Sequence, residues 1–340
     1  MRALAATLAL LALLALLALL TAGCGRERPG DSAAPTTTQS DAEATAGFGD
    51  EDVSLSGRVE ADGSSTVAPL VTLAAERFRK QEPGVKVTVG VSGTGGGFER
   101  FCAGETDLSD ASRPISDEEK QACAKKHIQF RELQVANDGL TVVVSPSNDW
   151  VDCLTVEQLK KIWEPGSKVK SWKDVDDSFP DEKLQLFGPG TDSGTFDYFT
   201  GSIVGEEGAS RSDYSATEDD NVIVNGVSGS KGALGYLGLS YVEENAGKLK
   251  PVAIDGGDSC VKPSVETVQA GSYKPLSRPL FVYARADALE DKVQVSAFLD
   301  FLLANQRSLA RGALFVPLTR EQLSRSKTVL EGAGIDAGNE

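Results

Sequence analysis

Histidine is nearly absent from this chain: His127 is the only one in 340 residues. A histidine-based zinc site is therefore excluded, and a serine nucleophile would have only His127 as its base. That residue follows Lys125-Lys126 with no partner motif, and it reads as a solvated loop position. No Cys-x-x-Cys pair and no Gly-x-Ser-x-Gly elbow occurs, so neither a thiolate metal site nor a hydrolase fingerprint is present. Positive charge is also short, with 34 Lys and Arg against 50 Asp and Glu and a net −16 at pH 7. Nucleic acid needs a basic face, so it is not expected as a partner. After Leu20 no apolar run is long enough to span a bilayer, and no internal repeat is visible.

The start of the chain carries a different signal. Met1-Arg2 is followed by a Leu/Ala run to Leu20 and then by Thr21-Ala22-Gly23-Cys24. A charged start, an apolar stretch and small residues make residues 1–23 an export signal. A cysteine directly after the small residues resembles a bacterial lipobox, with Thr21 where leucine is usual. The resemblance implies cleavage before Cys24 and a lipid on its sulfur; the alternative is an uncleaved anchor. Residues 24–57 hold almost no large apolar side chain and cannot offset their ordering entropy, so a flexible tether is expected there. Four cysteines remain: Cys102, Cys123, Cys153 and Cys260. In an exported chain they suggest disulfides, with buried free thiols as the alternative. Of three pairings, Cys102–Cys123 and Cys153–Cys260 are favoured because each stays inside one expected lobe.

Three short hydroxyl-and-glycine segments stand where helices should begin: Gly63-Ser64-Ser65-Thr66, Ser92-Gly93-Thr94-Gly95-Gly96-Gly97 and Thr191-Asp192-Ser193-Gly194-Thr195. Helix starts present unpaired N–H groups and the positive end of the dipole, and glycine lets an oxyanion approach the backbone. Leu70, Leu73, Ala74 and Phe78 follow the first segment at helical spacing, with Pro69 in the first turn and Ser64–Thr66 offered as capping oxygens. Val85–Val91 alternates as a strand, and a helix is expected around Phe98–Phe101. Thr155-Val156-Glu157-Gln158 is a capping box. Trp163 and Trp172 read as core, and Val295–Leu303 as an amphipathic helix. The order is α/β with mostly parallel sheets and flanking helices. The β runs at Leu140–Val144 and Leu280–Tyr283 are the expected crossings between two lobes. Lobe one would hold 58–139 plus 284–340, and lobe two 140–283, with a ligand cleft between them.

These segments, in this order, resemble the phosphate-binding subunit of bacterial phosphate ABC transporters, the PstS group of periplasmic binding proteins. The resemblance rests on Asp62–Pro69, Val91–Phe98, Asp107–Ile115, Leu154–Trp163 with Ser171-Trp172, Gly188–Phe196, Gly232–Tyr236 and Pro275–Phe281. It implies a two-lobed type II fold and a lipid-anchored protein on the outer face of the bacterial membrane. Such a protein captures inorganic phosphate, hands it to a permease, breaks no bond and needs no cofactor or metal. A monomer is expected. By position, Ser65, Thr66 and Thr94 would contact the anion from one lobe, and Ser193, Gly194 and Thr195 would close over it from the other.

Two departures from the family pattern matter. Ser112 stands where some members place a proton-accepting aspartate, and Pro189 where some place an arginine. Arg113 is therefore read as the replacement cation, its alternative being a surface ion pair. Asp192 is the first candidate to accept the phosphate proton, with Asp110 and the Ser112 hydroxyl behind it. Arg278 is read as structural, with a role in the cleft as the alternative. The alternatives in function are another oxyanion such as sulfate or molybdate, a lipid-anchored sensor, and an exported phosphatase, which the lone histidine disfavours.

Overall fold

The computed structural model describes residues 54–191 and 193–332. The export signal, Cys24, most of the expected tether and Asp192 lie outside the described residues. The strands are β1 (Ser56–Gly63), β2 (Gly84–Val89), β3 (Leu108–Ala111), β4 (Phe130–Val144), β5 (Cys153–Thr155) and β6 (Gln185–Pro189). They continue as β7 (Ser215–Thr217), β8 (Ala233–Gly238), β9 (Lys250–Pro251), β10 (Ala253–Asp255), β11 (Cys260–Val261) and β12 (Ser277–Arg285). β1 starts inside the stretch expected to be tether, because Ser56 and Gly57 already pair with Gly84 and Val85.

One large sheet runs β2-β1-β3-β12-β4-β8-β6-β7, with β9 also on β4; β11-β10-β5 form a small second sheet. Parallel pairing joins β1 to β2 and β3 in the first lobe and β6 to β7 and β8 in the second. β4 and β12 pair antiparallel with their neighbours. The long β4 serves both lobes: Phe130–Gly139 pair with β12, and Leu140–Val144 pair with β8.

The second crossing does not fall at Leu280–Tyr283. β12 pairs only with β3 and β4, and its Leu280 and Val282 enter the first lobe's core with Val59, Leu70 and Phe298. Leu276, one residue before β12, is in the second core with Leu140, Trp163 and Trp172. The chain therefore returns to the first lobe between Leu276 and Leu280, and 277–283 belong there. Burial of Leu280 and Val282 against the first core decides this.

The helices needed below are α1 (Ala68–Gln81), α2 (Gly93–Cys102), α3 (Asp117–Lys125), α4 (Val156–Trp163), α5 (Trp172–Val175) and α6 (Gly194–Phe199). α1 buries Leu70, Val71, Ala74 and Phe78 on one face and ends with Arg79 and Lys80 near its negative pole. In α4 the box forms as expected, Thr155 Oγ1 accepting from Gln158 N and Gln158 Oε1 from Thr155 N. Trp163 and Trp172 are core. His127 is exposed just after α3.

Both favoured disulfides are formed. Cys102–Cys123 ties α2 to α3, and Cys153–Cys260 ties β5 to β11. Closing loops of 21 and 107 residues restricts the unfolded chain by about 3–5 kcal/mol each in the chain-entropy account. Among the described residues no helix is long and apolar enough to cross a membrane.

Candidate functional site

The first hydroxyl segment follows directly from the end of β1. Gly63 has φ +145°, and a side chain there would run into the Asp110 carbonyl oxygen, so only glycine lets β1 lie this close to β3. Ser64 N donates to Asp110 O at 2.8 Å, and Ser64 O accepts from Val67 N and Ala68 N. The N-cap is Val67, and no side chain caps α1. The Ser64–Thr66 hydroxyls thus do not cap, because the backbone carbonyl of Ser64 takes the first helical N–H groups. Thr66 Oγ1 instead accepts from Arg278 Nη2 at 2.8 Å and donates to Gly194 O at 3.4 Å.

The second segment is mostly helix, not loop. α2 begins at Gly93, five residues before Phe98, and its first turn is the glycine run. A side chain on Gly97 would meet the Gly63 Cα, so small residues let α2 settle on β1. Ser92 N donates to Asp62 Oδ1 at 3.0 Å, and Asp62 is also ion-paired with Arg100. Burial pushes the Asp62 carboxyl up, but the bonds from Ser92 and Arg100 outweigh it and hold the group below its usual range. Thr94 Oγ1 lies 3.2 Å from Ser112 Oγ and accepts from Ser112 N at 3.3 Å.

The third segment comes from the second lobe. Ser193 caps α6, its Oγ accepting from Thr195 N at 3.2 Å. Gly194 abuts the first segment: a Cβ on it would stand 2.7 Å from Thr66 Oγ1 and 3.0 Å from Thr66 N.

Around these segments lies a cleft of about 650 Å³. From the first lobe it is lined by Ser64–Thr66, Ser92–Gly95, Ser112–Pro114 and Arg278-Pro279. From the second it is lined by Asp197, Tyr198 and Glu207. Ser65, Thr66, Thr94, Ser112 and Arg113 therefore face one space. Ser193, Gly194 and Thr195 do not line it; their helix contributes Asp197 and Tyr198 instead.

Two guanidinium groups differ sharply in setting. Arg113 is 46% exposed, and both of its terminal nitrogens bond Glu119 at 2.8 Å. Glu119 is itself fixed by the Ser116 capping box of α3. The ion pair offered as Arg113's alternative role is thus present, at the cleft rim. Arg278 is 11% exposed. Its Nε donates to Asp138 Oδ2 at 3.2 Å, its Nη2 to Thr66, and its Cζ lies 3.5 Å from the centre of the Tyr198 ring. Its Nη1 makes no hydrogen bond among the described residues. Burial holds the Asp138 carboxyl above its ordinary range despite the pull of Arg278.

Acidic groups occupy the opposite wall. Burial, then the charge of Glu207, push Asp197 up, and Arg278 offsets part of this. Asp110 is wholly buried under the first segment, neither oxygen has a hydrogen-bond partner, and burial followed by Asp62 drives its carboxyl well up. It does not line the cleft. Among the described residues no group of His, Cys, Asp and Glu could hold a metal ion.

The PBP superfamily domain model matches residues 32–306. The chain belongs to the PBP superfamily, in the PstS group. SphX of Synechococcus elongatus is 46% identical over 293 residues, 83% of this chain and 86% of that protein. The phosphate-binding protein PstS of Staphylococcus saprophyticus is 40% identical over 276 residues, 81% and 85% of the two chains. A solved structure of a possible phosphate binding protein from Planctomyces limnophilus shares 46% identity at a TM-score of 0.79, covering 82% of this chain and 99% of that one. The two-lobed fold of the PBP superfamily is thus this chain's fold.

Sequence reasoning missed Asp138, Asp197, Tyr198 and Glu207 and gave Arg278 a structural role first, with a cleft role as the alternative. One signal was present: an arginine between Leu276 and Leu280 in an apolar run must find partners if it is buried.

Proposed function

We propose that this chain captures inorganic phosphate in the interlobe cleft and delivers it to an ABC-type permease in the membrane. The carrying observation is a single cleft that joins the starts of α1 and α2, their Ser and Thr hydroxyls and the buried Arg278. Backbone N–H groups at helix starts and a planar guanidinium suit a small tetrahedral oxyanion. The net −16 does not oppose this, because charges more than about 10 Å away are screened at 0.1 M salt while local dipoles are not.

The acidic wall decides which oxyanion. Phosphate still carries a proton near neutral pH and sulfate does not. Asp197 lines the cleft and can accept that proton, whereas it repels a fully ionised anion. We assign the acceptor role to Asp197, which lines the cleft; Asp192, the first candidate from the sequence, lies outside the described residues. The export signal, lipid on Cys24 and tether would keep the protein at the outer face of the membrane beside its permease, as a monomer and without cofactor.

Calorimetry with phosphate and sulfate tests the reading. Phosphate should bind and sulfate should be weaker by at least about 100-fold, a site's penalty for leaving buried polar groups unpaired. Asp197→Asn should narrow that gap. Equal binding of both anions by the unaltered chain would sink the proton argument.

A further inference from the structure

We infer that Tyr198 is a positioning residue: its ring locks the cleft cation Arg278 only when the two lobes are together. This rests on the phosphate reading for its consequence, but the geometry stands without it. Tyr198 belongs to α6 and packs into the second lobe's core, while Arg278 sits on β12 in the first lobe's sheet. The Tyr198 hydroxyl donates to Pro275 O at 2.7 Å, pinning the ring to the segment that leads into β12. The Arg278 Cζ lies over that ring, 3.5 Å from its centre, a separation that leaves no room for the guanidinium to stand edge-on.

The chemistry of this contact explains why a ring is used. A guanidinium presents its donors around its edge and none on its face. Asp138 and Thr66 use edge donors, and Tyr198 covers the face. An aromatic face attracts the cation through its quadrupole. It therefore fixes the plane of the fork without taking a donor from an incoming anion and without adding negative charge. A second carboxylate in that place would do both.

The ring and the guanidinium come from different lobes. Hinge opening of the kind binding proteins use would carry them apart. Arg278 would then regain rotamer freedom, and the cost of ordering it would fall on the next binding event. Tyr198 thus couples closure to cation placement. Its effect should lie mainly in how long the bound anion stays.

The test compares Tyr198→Phe with Tyr198→Leu. Phosphate association and release are followed by stopped flow, and melting points without phosphate report folding. Tyr198→Leu should speed release roughly 2- to 30-fold, the span of a cation–π contact, with association within about twofold. Tyr198→Phe keeps the ring and should stay within about threefold of the unaltered chain. Tyr198→Trp replaces Tyr198→Leu as the informative variant if the latter does not fold, and should keep slow release. Equal losses in the Phe and Leu variants, or a loss wholly in association, would overturn the inference. A wild-type chain that binds no phosphate would sink the functional reading instead. In that case the Arg278 Nε–H resonance still decides: the stack requires a ring-current shift in the unaltered and Phe chains that is absent in the Leu chain.

Discussion

Removing Arg278 should cost far more phosphate affinity than removing Arg113. Arg278 is 11% exposed and paired with an Asp138 that is 8% exposed, whereas Arg113 is 46% exposed and engaged at the rim by Glu119. Truncating one partner of a buried, hydrogen-bonded charge pair costs about 2–5 kcal/mol, or roughly 30- to 5,000-fold in Kd. An exposed pair contributes about 0–1 kcal/mol, so Arg113→Ala should lose less than about fivefold. Much of the Arg278→Ala loss comes from the stranded Asp138 carboxylate, which repels the arriving anion. Burial already raises the Asp138 carboxyl, and loss of Arg278 removes what pulls it down. The deficit should therefore be smaller at pH 5.5 than at pH 8, and Asp138→Asn added to Arg278→Ala should recover part of the binding. Calorimetry at the two pH values reads all four chains. A larger loss for Arg113→Ala than for Arg278→Ala refutes the assignment of the cation. No recovery in the double variant refutes the stranded-charge account.

Two further outcomes follow from other parts of the site. Burial raises the Asp110 carboxyl above its unfolded value, so the folded chain holds a proton that the unfolded chain releases, and this part of the stability is lost as pH rises from about 4 toward the folded pKa. Asp110→Asn should therefore gain stability over the unaltered chain as pH rises from 4.5 to 8 in urea unfolding; a constant difference would show that Asp110 is ionised when folded. Gly194→Ala places a methyl 2.7–3.0 Å from Thr66 and should weaken phosphate binding by about 1–3 kcal/mol through overpacking, with little change in the phosphate-free melting point. Unchanged affinity would show that the third segment need not meet the first.

Local signals carried much of the fold into view. Helical spacing marked α1, the capping box marked α4, and cysteine arithmetic together with lobe assignment marked both disulfides. What stayed hidden was set by tertiary pairing. The first half of β4, Phe130–Gly139, mixes charged residues with Asn137-Asp138-Gly139, a turn-like string. It remains extended because Asn137 bonds Gln322, Asp138 meets Arg278, and Gly139 leaves room for Val268. Those partners lie more than 120 residues away, so no local pattern could announce them. The surroundings of Arg278 stayed hidden for the same reason: its contacts come from Thr66 in the turn before α1 and from Tyr198 on α6. Arg113 shows the converse case. A nearby motif suggested an anion clamp, but Glu119, six residues on, already holds both terminal nitrogens.

β4 gives the two lobes a common fate. Its first ten residues complete the first lobe's half of the large sheet and its last five the second lobe's half, without a break in the strand. Neither lobe can lose its share of β4 without pulling an interior strand from its neighbour. A chain of this size built from two separate bodies would melt in two steps; one stitched through a shared strand should lose both cores in a single cooperative event. The same stitch limits what the hinge can do. The lobes can swing about this strand, but they cannot slide along it without breaking the ladder that holds each of them.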